Sequence, residues 1–207
     1  MIALTSPYLW YTSRATGIVA LVLFTAVVAL GALVANRAGG SSVGRFELNE
    51  LHRSLSLVAM IFLVIHVVTT VMDTYAPTGW LSALVPFASH YERIGVAIGA
   101  VAIDLMLAVW VSSLLKARIR NQSWRFIHWF SWIAFASAII HAYVSGADTK
   151  NGAGLALVVA CAAVVLIAGA WRFVKRPPRS QGGTALTPLA GASPTLLTSR
   201  RSPRGVR

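Results

Sequence analysis

Four of the five histidines in this chain close the ends of two oily runs, LHRSLSLVAMIFLVIH and FIHWFSWIAFASAIIH. His52 and His66 are 14 residues apart, and His128 and His141 are 13 apart. On helices rising 1.5 Å per residue these are separations of about 21 and 20 Å. Each pair therefore nearly crosses the hydrocarbon core of a bilayer, which is about 30 Å thick. The two runs are separated by one other apolar segment, so as spans they run parallel to each other. One histidine from each then lies at each of two depths. A facing pair of imidazoles is what a six-coordinate haem iron takes as axial ligands. Facing helices of a bundle project such ligands inward. The expected cofactor is haem b, two per chain, with His52, His66, His128 and His141 as iron ligands. Ionisable side chains inside a membrane are costly and mark function, and four matched in depth are hard to explain as packing.

The two spacings are not equivalent. At about 100° per residue, a 14-residue step returns to within about 40° of the same helix face, and a 13-residue step misses by about 140°. His128 and His141 cannot share one face of an ideal helix. A π-bulge, a kink, or haems held at different rotations is expected to resolve this.

The elements that carry these residues are membrane spans. Of the 207 residues, 57% are hydrophobic and 12% charged, with a mean hydropathy of +0.69. A soluble domain is about half apolar and a quarter charged. An all-α bundle of five transmembrane helices is expected, over about 15–36, 51–73, 93–115, 124–145 and 152–174. The stretch WLSALVPFA at 80–88 is too short to span and contains Pro86; it reads as a surface helix or loop. The first apolar run exceeds the h-region of a leader peptide, and only Arg14 precedes it. A retained helix is expected there.

The net charge of +12 reflects topology, not nucleic-acid binding. Fifteen Lys and Arg fall in the first loop, in the loop between spans three and four, and from Arg172 onward. Only Arg14, Arg93 and Lys150 fall on the other side. By the positive-inside rule the N-terminus is outside and the C-terminus inside. Residues 1–174 read as the membrane domain. Residues 175–207, rich in Pro, Gly, Ser, Thr and Arg, read as a disordered basic cytoplasmic tail that can lie on anionic lipid. Cys161 is the one cysteine. It sits in an apolar run and reads as packing.

With these residues in view, the chain resembles the ferric reductase-like transmembrane domain family. That family includes ferric reductases, the haem domain of NADPH oxidases and the bacterial haem subunit of the periplasmic methionine sulfoxide reductase system. Its mark is two histidine pairs, 14 and 13 apart, on helices separated by one other. The contexts LHR, IH, WRFIHW and IIHAY also fit. The resemblance covers about residues 12–145, and the fifth span more loosely. Many members have six helices, and span one here would match their second. Eukaryotic members add a flavin and nicotinamide domain. No Gly-rich dinucleotide motif is present here. The resemblance implies an oxidoreductase subunit in a cell membrane, the plasma membrane if bacterial. It would pass electrons from a separate inner donor, a flavoprotein or quinol, to an outer acceptor. Ferric iron, a flavin, oxygen and a partner reductase are the acceptor classes.

Haem propionates favour arginine at the membrane faces. Arg53 and Arg125 adjoin the inner histidines, and Arg14 lies at the outer end of span one, where similar proteins place an arginine near the outer haem. These three are candidate cofactor-binding residues, with Arg93 a weaker fourth. Trp129, Phe130, Trp132 and Phe135 lie between the span-four ligands and read mainly as packing. Gly95 and Gly99 form a GxxxG suited to close helix contact. Asp104 reads as a buried mid-span carboxyl, for a proton path or a structural hydrogen bond. His90 reads as a surface histidine. The rival functions are an assembly or anchoring subunit whose histidines are relics, and a transporter or channel using the histidines for protons or a metal ion. Against the latter, the midplane lacks the clustered polar residues and broken helices of transporters.

Overall fold

A computed structural model describes residues 7–35, 44–73, 78–146 and 148–174. The described residues are all-helical, without strands: α1 (Pro7–Ala35), α2 (Arg45–Met72), α3 (Gly79–Leu84), α4 (Arg93–Leu114), α5 (Asn121–Ser145) and α6 (Gly152–Val174). All but α3 are long and apolar enough to cross a membrane. The 175–207 tail and Arg37 of the first loop lie outside the described residues.

Two helices start earlier than their apolar runs. α1 begins at Pro7, a residue that suits a first turn because its missing N–H would have no partner there. α2 begins at Arg45, and Glu47 of its first turn accepts the Gly44 N–H at 3.1 Å. Hydropathy marks the lipid-facing length of a helix, whereas capping chemistry marks its end. The 80–88 stretch forms the short α3 and a following turn. Gly79 enters it at φ 70°, a left-handed conformation that glycine adopts without penalty.

α1 packs along α2, and α4 along α5, as two antiparallel pairs; α6 leans on α1. α2 and α5 stay apart: their described residues bring no Cα atoms within 8 Å of each other. The core that joins the layers includes Phe24, Ala59, Met60, Met106, Ala134 and Phe135. Ala59 lies midway between His52 and His66, and Ala134 lies midway between His128 and His141. Both alanines are completely buried. Cys161 is buried in the same cluster.

Side chains here are packed like an organic crystal, so added volume has nowhere to go. Replacing Ala134 with leucine is expected to cost about 1–3 kcal/mol of stability. Denaturant titration in detergent reads this as a lower midpoint, and an unchanged midpoint would contradict the packing of α5.

Candidate functional site

The gap between α2 and α5 is bridged by rings. His52 of α2 meets His128 of α5 with ring centroids 6.4 Å apart and planes at 68°. His66 meets His141 at 6.4 Å and 70°. The two pairs thus repeat one geometry at two depths. We call His52/His128 the basic level, after the Lys116 and Arg172 side chains near it, and His66/His141 the cavity level.

Three of the four rings are tied to the neighbouring helix through Nδ1. His52 Nδ1 lies 3.0 Å from the Val27 carbonyl, and His66 Nδ1 lies 2.7 Å from that of Ser13. His141 Nδ1 lies 2.8 Å from the Gly95 carbonyl. A carbonyl can only accept, so Nδ1 carries the proton and donates. In a neutral imidazole that leaves Nε2 as the lone-pair nitrogen. The backbone has therefore chosen the tautomer of three histidines. Ser13 is itself pinned to α2, its hydroxyl 2.5 Å from that of Thr70.

His128 differs. Its Nδ1 is buried with no hydrogen-bond partner among the described residues. Its ring instead stacks on Trp124, one turn earlier on α5, at 5.0 Å and 25°. The Lys116 ammonium lies 4.1 Å from the Trp124 ring centre, a cation–π contact. The 13-residue step explains the difference. α5 is an uninterrupted α-helix over its length, so no π-bulge intervenes. His141 is bonded to α4, whereas His128, turned by about 140°, stacks on Trp124 of its own helix. Both still meet a histidine of α2.

The cavity level opens into a cavity of about 310 Å³ bounded by all six helices. Leu21, Phe24 and Met106 belong both to its wall and to the core. Its rim holds Trp10, Arg14, Asp73, Tyr91, Glu92 and Asp148. Arg14 bonds Asp148 at 2.5 Å and lies over Trp10 at 4.3 Å. Glu92 has φ 38°, a left-handed conformation costing a non-glycine residue about 1–2 kcal/mol. Among the described residues no group of three or more His, Cys, Asp or Glu side chains is placed to hold a metal ion.

A family model described as the ferric reductase like transmembrane component matches residues 16–139. The chain belongs to this ferric reductase-like family. No curated protein and no solved structure matches it. Membership, with five apolar helices of spanning length, makes this a multi-pass membrane protein. At family level it points to transmembrane electron transfer.

In this ferric reductase-like protein the four histidines come together in two pairs, as their spacing suggests. Arg14 joins them at the cavity level. Arg53 and Arg125 are exposed and do not line the cavity. Arg93 is exposed too, its guanidinium 6.0 Å from the Phe87 ring centre. His90 is exposed. Asp104, expected to be buried, is only half-buried and lies off the cavity wall; apolar flanks in sequence do not fix which way a helix face turns. Phe135 is buried, and Trp132 packs on the core. Trp129 is exposed under Arg172, and Phe130 packs edge-on against Phe126. Asp148, Trp124 and Lys116 were not singled out by sequence. Asp148 had no signal, because only the fold brings it to Arg14.

Asp148 is 69% exposed, so its ion pair with Arg14 contributes under about 1 kcal/mol. Replacing Asp148 with asparagine is expected to leave the denaturation midpoint nearly unchanged. A large fall in that midpoint would give the pair a structural role.

Proposed function

We propose that this protein carries electrons one at a time across a membrane, with a b-type haem held at each level by a histidine pair. His52 and His128 would ligate one iron, and His66 and His141 the other. The observation that carries this reading is the repeated ring geometry. Two metal–imidazole bonds of about 2 Å, plus about 1 Å from each nitrogen to its ring centre, set axial rings roughly 6 Å apart. Both pairs stand at 6.4 Å. The hydrogen bonds fit as well. Metal-bound histidines donate their other N–H to an acceptor, which fixes ring orientation, and three of these four do so.

Haem supplies the reversible one-electron iron couple when bound. The chain's own residues bind, orient and exclude water. The helix carbonyls hold three imidazoles with Nε2 free. The apolar core around Ala59 and Ala134 keeps water from the space between the levels. Arg14 lies on the cavity wall and would meet a propionate there, in exchange for Asp148. Arg53 and Arg125 would serve the basic level from the membrane face.

The charge distribution supports placing the basic level at the inner face and the N-terminus outside. Electrons would enter from a separate inner donor, a flavoprotein or a quinol. They would leave at the cavity level for ferric iron, a flavin or a partner reductase. The bacterial plasma membrane suits such a chain, with residues 1–174 as the haem domain and the basic tail lying against lipid.

The test is a visible spectrum of detergent-purified protein, oxidised and dithionite-reduced, with the haem-to-protein ratio. About two b-type haems per chain are expected. His66→Ala or His141→Ala should remove one haem and leave the other. His52→Ala or His128→Ala should remove the haem that those variants keep. A colourless protein, made with haem in ample supply, or four variants that all retain both haems, would falsify the assignment.

A further inference from the structure

The three carbonyls that hold histidines share a second feature. Each lies four residues before a glycine on the same helix. Ser13 precedes Gly17, Val27 precedes Gly31, and Gly95 precedes Gly99. In an α-helix the carbonyl of residue i points at the N–H of residue i+4. A side chain at i+4 therefore flanks the approach to that oxygen. A Cβ built at Gly17 would stand 2.9 Å from the His66 ring, and one at Gly99 would stand 2.7 Å from Nδ1 of His141. One at Gly31 would stand 3.3 Å from the His52 ring. The first two separations are closer than carbon atoms tolerate, and the third is tight.

The fourth histidine provides an internal contrast. α4 and α5 are antiparallel, so stepping 13 residues back from His141 to His128 means stepping 13 forward on α4. That carries Gly95 and Gly99 to Ala108 and Ser112. Ser112 has a side chain, and its hydroxyl donates to the Val109 carbonyl at 2.9 Å. No glycine stands at this register, and His128, whose ring is turned about 140° from that of His141 on α5, is the one of the four whose Nδ1 has no acceptor among the described residues.

We propose that Gly17, Gly31 and Gly99 are positioning residues for the haem ligands. Each bares one helix carbonyl so that an imidazole can donate to it, and the carbonyl in turn fixes that ring's tautomer, plane and donor strength. His128 is set by a different device, the stack on Trp124. This inference rests on the haem reading above. A ligand N–H bonded to an acceptor makes the imidazole a stronger donor to iron. Losing that bond favours the ferrous state and raises the potential of that haem alone. A glycine needed only for helix packing would change yield or stability without singling out one haem.

The experiment uses full-length protein purified with haem, followed by potentiometric titration and low-temperature EPR of the ferric form. Crossed axial imidazole planes give a strongly axial low-spin signal with a large leading g value, whereas parallel planes give a rhombic one. The unaltered protein should show the axial type at both levels, since its ring planes stand at 68° and 70°. Gly17→Ala and Gly99→Ala should raise the potential of the cavity-level haem, or lose that haem alone. Gly31→Ala should act on the basic-level haem alone, and more weakly. The levels are assigned with the single-haem histidine variants. Ser112→Ala, and Gly169→Ala on α6, which crowds Trp132 of α5, should move neither potential. The inference is overturned if the glycine variants move both haems together or neither. Rhombic signals from the unaltered protein overturn it too, even if no variant accumulates. A colourless unaltered protein overturns both readings; two haems with unresponsive glycines overturn this one alone.

Discussion

Inside a bilayer no water is there to answer an imidazole N–H, so one left without a protein acceptor is costly. For three of the four histidines here the answer comes from the backbone. The carbonyls of Ser13, Val27 and Gly95 already serve their own helices, and each accepts a histidine as well. That double use requires two helices close enough to share an oxygen. The pairing of α1 with α2 and of α4 with α5 follows from the same need, and so does the 14-residue step that α1 shares with α2. The rings that result point away from their carbonyls and into the gap between α2 and α5.

The spans, their number and the two-level grouping of the histidines were legible in the sequence. They depend on hydropathy and on helical rise, which are properties of single segments. The tie of each ring to its neighbour was not read, although a clue was present: Gly17 and Gly31 are spaced like His52 and His66. GxxxG at Gly95 and Gly99 was read as packing, and its closeness to His141 needed the fold. The angular mismatch of His128 was legible, but its outcome was not. A bulge or kink would correct the direction of the side chain. The protein instead leaves the helix intact and gives His128 a different neighbour. Asp104 was misplaced because a mid-span position says how deep a residue lies, not which way it faces.

The two levels also differ in charge. Lys116 and Arg172 lie over Trp124 and Trp129 near the basic level. At the cavity level Arg14 is matched by Asp148, and Glu92 and Asp73 share the rim. Three of the chain's six acidic residues thus gather around one opening. Equal ring geometry at the two depths is therefore set in unequal fields, one shaped by cations and one by paired or negative groups.

The core between the levels has a consequence of its own. Phe24, Ala59, Met60, Met106, Ala134 and Phe135 carry no side chain that could hold a proton or anchor a water by a strong hydrogen bond. The buried hydroxyl of Thr25 is turned back onto its own helix at Leu21. Such a layer is an insulating diaphragm. An electron crossing it would travel without a proton beside it, so each crossing would be a net electric current. With about 2.3 kcal/mol at stake per charge per 100 mV, the membrane's own voltage would then assist each crossing in one direction and oppose it in the other.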